Sequence, residues 1–153
     1  MRRLREFLPG TFVRIPLPDG SFGYGCFLGA PYAAFYHHHT REPSAALDVI
    51  ASRPILFRQA VRVRESDGWA DIGRRPLQGE LAEPVLRFMQ DLADFHRCVL
   101  FDSAGMEKPV APEACIGVER AAVWDAHHIE ARLLDTFLGR PNAAELHARV
   151  RLR

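Results

Sequence analysis

Residues 117–142 constrain the fold of this chain most strongly, because they carry the marks of a complete amphipathic helix. Asp125 is suited to the N-cap, since a carboxylate accepts hydrogen bonds from the free N–H groups of a first helical turn. Gly139 and Pro141 are typical of a helix end. The segment therefore predicts a helix from about Asp125 to Leu138, followed by a short final helix over 143–150. The stripe expected to face the core consists of Ile129, Leu133, Leu134, Phe137 and Leu138.

Polar side chains crowd this apolar stripe: Glu119, His127, His128, Glu130 and Arg132. His128 and Arg132 lie four residues apart and share a helix face. They fit a structural network in which Glu119 pairs with Arg132, and they also fit an acid/base cluster. We favour the structural network, because no nucleophile, metal or cofactor signature converges on these residues. Trp124 precedes the cap and is expected to pack on Ile129.

The first half of the chain predicts β-strands. Residues 11–17 and 22–28 form a hairpin around the Pro-Asp-Gly-Ser turn at 18–21. Gly23 and Gly25 share one strand face, where they would leave a groove or allow strong coiling. Further strands are expected at 33–38, 46–50, 58–65, 69–73 and 96–101, with a loop over 102–114. Residues 74–95 fit either a helix carrying Val85, Phe88, Met89 and Leu92 or an irregular, partly extended segment.

The fold class that follows is α+β: a mostly antiparallel, strongly coiled β-sheet or open barrel with C-terminal helices packed on it. The chain of 153 residues contains no repeat or linker, so we expect a single domain over 1–153. The start of the chain, MRRLREFLPG, is basic but lacks the apolar stretch of a signal peptide. We therefore expect a cytoplasmic protein, and in that compartment its three cysteines, which show no paired spacing, suit reduced thiols.

Charge is unevenly distributed along the chain. The formal net charge is +1, which argues against a dedicated nucleic-acid binder. Residues 80–135 nevertheless hold 5 basic and 11 acidic side chains, a net charge of −6. Such a segment is typical of helices and loops that expose acids, and it also fits an acidic face for a basic partner.

Two groups of residues raise the question of a metal. His37 and His39 would share one face of a strand in the His37-His38-His39 run, and His96 and Cys98 would do so in another strand, with Cys115 or His127 as a further ligand. Neither spacing matches a structural zinc pattern. Serines such as Ser21 lie in turn-like surroundings, where serine is common. We therefore expect no bound metal, no cofactor and no catalytic residues.

Four sequence elements resemble the bacterial immunity protein 26 family of polymorphic toxin systems. They are Pro9-Gly10 with Ile15 to Gly25; Gly68-Trp69 with Ile72-Gly73; Phe88-Met89-Gln90-Asp91; and Cys115 with Glu119 to Trp124, His128 to Leu133 and Gly139 to Asn142. The resemblance implies a mostly β domain that neutralises a toxin without catalysis. The shared residues are then fold determinants: Trp69, Glu119, Trp124, His128 and Arg132.

The leading functional hypothesis is a bacterial immunity protein that occludes a cognate toxin encoded by a neighbouring gene. Acidic side chains of the 80–135 segment are the interface candidates: Asp91, Asp94, Glu107 and Glu113. The partner is then a protein, with no nucleic acid and no membrane. One alternative is a binding module of the same fold for another protein or a small ligand, beside Gly23 and Gly25. Another is a metal-dependent or acid/base enzyme using His96, Cys98, His128 and Glu119.

Overall fold

A computed structural model describes residues 3–153 of the chain. Its strands are β1 (Leu4–Arg5), β2 (Thr11–Pro16), β3 (Phe22–Gly29), β4 (Tyr32–Tyr36), β5 (Ile55–Arg64), β6 (Ala70–Arg74), β7 (Leu86–Gln90), β8 (Cys98–Asp102), β9 (Glu107–Val110), β10 (Glu119–Arg120) and β11 (Val123–Asp125). Its helices are α1 (Leu47–Ala51), α2 (Ala126–Phe137) and α3 (Ala143–Ala148). No helix among these residues has the length and apolar character needed to cross a membrane.

The chain divides into two compact units. The first contains the residues up to Ala82 together with Val123–Asn142, and the second contains Glu83–Ala122 and Ala143–Arg153. The predicted α+β class is confirmed, with a curled, mostly antiparallel sheet that forms a half-barrel and helices near the C-terminus. The single domain over 1–153 stays a prediction.

The sheet of the first unit has the order β1-β5-β4-β3-β2-β6, and β11 pairs with β5 in parallel. The predicted hairpin is confirmed: Val13 lies opposite Gly25, and Ile15 lies opposite Gly23. Gly20 adopts a φ of 84° in its turn, a conformation that favours glycine. Strand residues on both faces of this hairpin are buried, so the core extends over both sides of the sheet.

The glycine face of β3 is covered, which overturns the predicted groove. A Cβ on Gly23 would lie 3.1 Å from Cδ1 of Leu133 on α2, and one on Gly25 would lie 2.9 Å from the carbonyl oxygen of Ala34. The missing side chains therefore permit close packing of the helix and of the neighbouring strand.

Helix α2 confirms the predicted helix, and its buried stripe includes Ile129, Leu133 and Leu134. It ends at Phe137, and Gly139 takes a φ of 68°. Asp125 occupies the N-cap position but makes no capping hydrogen bond with its side chain, so that detail was wrong. Its carboxylate instead accepts a hydrogen bond from Nε of Arg62 at 3.1 Å, because β11 places it beside β5.

The predicted strand over 46–50 is wrong, because residues 47–51 form helix α1. Leu47 and Ile50 lie three residues apart, and this spacing turns both onto the core that contains Phe12, Tyr24 and Tyr36. Short apolar runs of this kind are ambiguous between helix and strand in the sequence.

The second unit contains a sheet of order β10-β7-β8-β9. Its buried core consists of Phe88, Cys98 and Cys115. Residues 74–95 are extended at β7, so the helical alternative for them is wrong. The loop predicted over 102–114 contains strand β9, which pairs with β8 although it carries Pro109 and two charged residues. As an edge strand it tolerates both features.

Candidate functional site

Trp69 and Glu130 form a polar contact inside the first unit. Trp69 is fully buried, and its indole N–H donates to Oε2 of Glu130 on α2 at 2.8 Å. Burial raises the pKa of the Glu130 carboxyl, and the Trp69 hydrogen bond partly opposes that rise. Glu130 thus links α2 to the start of β6.

Arg132 lies between two aromatic rings in the same unit. Its guanidinium carbon is 3.6 Å from the ring centroid of Phe57 and 5.1 Å from that of Trp124. Only 9% of the residue is exposed. A desolvated cation over two ring faces stabilises the packing of α2 against β5 and β11. His128 meets the Trp124 ring at its edge, with centroids 6.5 Å apart.

Asp125, His127 and His128 form a group of potential metal ligands in the part of the chain that the structure describes, with ligand atoms within 4.8 Å of one another. Arg62 lowers the pKa of the Asp125 carboxyl through a hydrogen bond. Nη1 of Arg64 lies 3.9 Å from Oδ1 of Asp125. Two guanidinium groups and the positive end of the α2 dipole oppose a divalent cation here. The group contains His127 and His128, which the sequence had suggested as candidates, but neither His96 nor Cys98, the residues with which they were grouped.

Glu119 lies in β10 of the second unit, opposite Arg87 of β7. Its pairing with Arg132 stays a prediction. The role of the shared residues Trp69, Trp124 and His128 as fold determinants is likewise a prediction that mutation has to test.

The histidine run is engaged in packing. The rings of His37 and His39 stack on Phe137 of α2, with centroids 6.0 Å and 4.5 Å away. Nε2 of His39 lies 2.7 Å from Oγ of Ser21, and that hydroxyl donates to Asp19. Serine is therefore the middle member of this chain of contacts, whereas a catalytic triad has histidine there.

His96 and Cys98, which the sequence suggested as metal ligands, differ in their exposure to solvent. Cys98 and Cys115 are buried in the core of the second unit, where Cys98 Sγ donates to the carbonyl oxygen of Phe95 at 3.7 Å. Burial raises the pKa of Cys115 to about 11, and the neighbouring Cys98 adds to this. His96 is exposed, with its ring 4.0 Å from that of Phe95. Buried neutral thiols of this kind are poor metal ligands.

The acidic interface candidates lie at two ends of the second sheet. Asp91 and Asp94 are exposed in the turn between β7 and β8. Oδ1 of Asp91 accepts hydrogen bonds from the backbone N–H groups of Asp94 and Ala93, both at 2.8 Å, which lower the pKa of its carboxyl. Glu107 begins β9 at the opposite end of the β8–β9 ladder, and Glu113 follows the end of β9.

The apolar residues of the same sheet were not predicted as surface features. Leu92, at the tip of the β7–β8 turn, is 97% exposed, and Met89 is 58% exposed. Met89, Val99 and Pro109 form a cross-strand row that lines a concave surface of about 600 Å³. The row and Leu92 together are called the β7–β9 face below. Strand alternation from Phe88, which is buried, would have identified Met89 as outward-facing.

The charge of the second unit is more balanced than the sequence segment suggested. The unit holds 8 acidic and 7 basic side chains, a net charge of −1, because the arginines of the C-terminal segment belong to it. Arg151 is bonded through its backbone to the side chain of Gln90, next to the Asp91 turn. The β7–β9 face is thus apolar with charges of both signs around it.

A comparison with known protein families shows the family to which this chain belongs. The family model described as Immunity protein 26 matches residues 8–99, which are 92 of the 153 residues. The chain belongs to the immunity protein 26 family. No curated protein and no solved structure matches it.

The immunity protein 26 match covers three of the four sequence elements that carried the resemblance. It includes the β2–β3 hairpin, the Trp69 element, and the Phe88 to Asp91 strand with the turn that follows it. The helix α2 and its aromatic neighbour Trp124 lie outside the matched residues. The family assignment therefore rests on residues 8–99 and not on the C-terminal element.

Proposed function

We propose that this chain is an immunity protein that binds a cognate bacterial toxin, encoded by a neighbouring gene, and neutralises it by stoichiometric occlusion. Membership of the immunity protein 26 family is the observation that carries the proposal. An inhibitor of this kind acts by contact alone, so its essential feature is a complementary surface.

We propose that the toxin binds to the β7–β9 face. Protein interfaces combine an apolar, desolvated centre with a polar rim. The face offers the exposed apolar side chains of Leu92 and Met89, and Asp91 and Asp94 lie in the same turn as Leu92. An almost fully exposed leucine adds nothing to the core of its own chain, but it would bury a large apolar area in a complex.

Charge favours a toxin surface with basic residues next to an apolar depression. Asp91 and Asp94 would pair with such residues, and the lowered pKa of Asp91 keeps it ionised at neutral pH. Glu113 extends the acidic rim near the same end of the sheet. Glu107, at the other end, would contact the partner only in a larger interface.

Co-expression of the neighbouring toxin gene with variants of this protein tests the proposal. Leu92→Asp leaves the core untouched and should abolish protection of the cells, while the joint change Asp91→Asn and Asp94→Asn should weaken it. Asparagine keeps an oxygen that can accept the backbone hydrogen bonds of the turn, so these changes remove charge alone. Leu8→Asp serves as the matched control, because Leu8 is 61% exposed and belongs to the first unit.

Loss of protection with Leu92→Asp and full protection with Leu8→Asp supports both the function and the face. Equal protection by all variants retains the function and rejects the β7–β9 face. A toxin that kills equally with and without the unaltered protein rejects the function itself.

A further inference from the structure

A second concave surface lies within the first unit. It has a volume of about 340 Å³ and opens between the end of α1 and the segment over 75–81. Phe12, Tyr36, Ile55 and Leu81 give it apolar walls, and Phe12 stacks on Tyr36 with centroids 6.0 Å apart. Small-molecule sites have volumes of roughly 300–1,000 Å³ and are lined mainly by such residues.

The hydroxyl of Tyr36 has no hydrogen-bond partner among the residues that the structure describes. The residue is 2% exposed and lines the concave surface, yet its hydroxyl makes no hydrogen bond within residues 3–153. Tyr24 in the same core differs, since its hydroxyl lies 2.6 Å from Oγ1 of Thr40 and accepts the backbone N–H of Ser44 at 3.1 Å. Its oxygen is not fully enclosed and Tyr36 lines the concave surface, so the hydroxyl is suited to donate to an acceptor that enters the site. Burial raises the pKa of Tyr36, which keeps the hydroxyl protonated as a donor.

Two arginines line the same surface. The guanidinium of Arg53 makes no ion pair with any residue that the structure describes. Nη1 of Arg75 pairs with Oδ1 of Asp48 at 2.9 Å, but the Asp48 side chain is 96% exposed, so solvent weakens that pair. Glu80 contributes one negative charge. The two guanidinium groups outnumber this carboxylate, and their planar donors suit carboxylate or phosphate oxygens.

We propose that this surface is a binding site for a small organic anion with an apolar body and one carboxylate or phosphate group. The apolar body packs on Phe12 and Ile55, and the anionic group accepts hydrogen bonds from the Tyr36 hydroxyl and from Arg53. The site shares no residue with the β7–β9 face and does not depend on toxin neutralisation. It replaces the ligand groove that the sequence had suggested beside Gly23 and Gly25.

Titration of the full chain with benzoate and with phenyl phosphate tests this site, with benzyl alcohol as the neutral probe. Calorimetry gives the affinity, and ¹H–¹⁵N NMR gives the location. We expect at least one anion to bind with a Kd of about 1 mM or lower, with shifts centred on Ile55, Leu81 and the Arg53 side chain. Benzyl alcohol should bind at least about tenfold more weakly. A preference between the two anions identifies the anionic group.

Variants separate a built site from general attraction of anions. Tyr36→Phe should weaken anion binding roughly tenfold without lowering the melting temperature, because no internal hydrogen bond is lost. Arg53→Gln should weaken it similarly. Tyr24→Phe, the matched control, should leave the affinity unchanged. The proposal is overturned if neither anion binds in this range, if the shifts centre on the C-terminal arginines, or if Tyr36→Phe and Arg53→Gln bind as the unaltered chain does.

Discussion

The indole N–H of Trp69 donates to Oε2 of Glu130 at 2.8 Å, which joins a fully buried tryptophan to a half-buried carboxylate. The contact links the element around β6, which belongs to the family match, to helix α2, which lies beyond it. The carboxylate accepts the hydrogen bond of the buried indole, but it loses part of its own hydration. Two substitutions of Glu130 should therefore affect the free energy of unfolding differently.

Glu130→Gln keeps an oxygen acceptor for the Trp69 N–H and removes the charge, so the free energy of unfolding at neutral pH should stay the same or rise slightly. Glu130→Leu removes the acceptor and should lower it by about 1–3 kcal/mol. Urea denaturation of both variants checks this. A Leu variant as stable as the Gln variant would show that the hydrogen bond contributes nothing.

The same carboxyl gives the stability a pH dependence. Because the folded-state pKa of Glu130 is raised above its ordinary value of 4.5, the folded form binds this proton more tightly than the unfolded form. Its contribution to stability is present below the ordinary pKa and is lost as the pH rises through the folded-state pKa. The unaltered protein should therefore gain stability relative to Glu130→Gln as the pH falls from about 7 to about 4. A constant difference across this range would contradict the shift.

Arg132 should be required for stability through its two ring contacts. Arg132→Met keeps the length of the side chain but removes the cation over Phe57 and Trp124, and it should lower the free energy of unfolding by about 2 kcal/mol. Arg132→Lys keeps the charge without the planar group, so its free energy of unfolding should lie between those of the unaltered protein and Arg132→Met. Arg140→Met is the matched control, since the exposed pair of Arg140 with Asp135 should contribute less than about 1 kcal/mol. Equal effects at both arginines would reject a special role for Arg132.

The glycines of β3 should tolerate a methyl group unequally. Gly25→Ala places its Cβ 2.9 Å from the backbone oxygen of Ala34, which cannot move freely, and should lower the free energy of unfolding by about 2–3 kcal/mol. Gly23→Ala meets the end of the Leu133 side chain at 3.1 Å and should cost about 1 kcal/mol. Thermal denaturation measures both. If Gly25→Ala were as stable as the unaltered chain, β3 and β4 would not pack closely at Gly25.

The three thiols should be unreactive in the folded protein. Cys26, Cys98 and Cys115 are buried, and burial raises the pKa of Cys26 to about 12. Because the thiolate is the reactive form, a thiol reagent at neutral pH should label them only as fast as the protein unfolds. Rapid labelling of one thiol without denaturant would show that its part of the fold opens locally.

Helix α2 and the β2–β3 hairpin were predictable because each carries its own local signals. The helix has a stripe at 3.6-residue spacing and a glycine at its end, and the hairpin has alternation around an Asp-Gly turn. The short segments failed for the opposite reason. The five residues of Leu47–Ala51 are too few to distinguish a helical repeat from strand alternation. Strand β9 forms through its pairing with β8, which the local sequence does not show.

The candidate sites were less predictable, because tertiary contacts create them. Asp125 looked like a capping residue, but the parallel pairing of β11 with β5 brings Arg62 to its carboxylate. Leu92 fitted a helical stripe in the sequence and instead lies at the tip of a turn. The Tyr36 site joins side chains up to 69 residues apart, from Phe12 to Leu81, and no local pattern brings such residues together.

The central claim is stoichiometric neutralisation, and an inhibition titration with the purified product of the neighbouring toxin gene tests it most directly. At toxin concentrations far above the Kd, residual activity should fall linearly and reach zero at one equivalent of this protein. Size-exclusion chromatography with light scattering should then give the mass of a 1:1 complex. Full toxin activity in the presence of excess protein, or complete inactivation by a small fraction of an equivalent, would contradict the account.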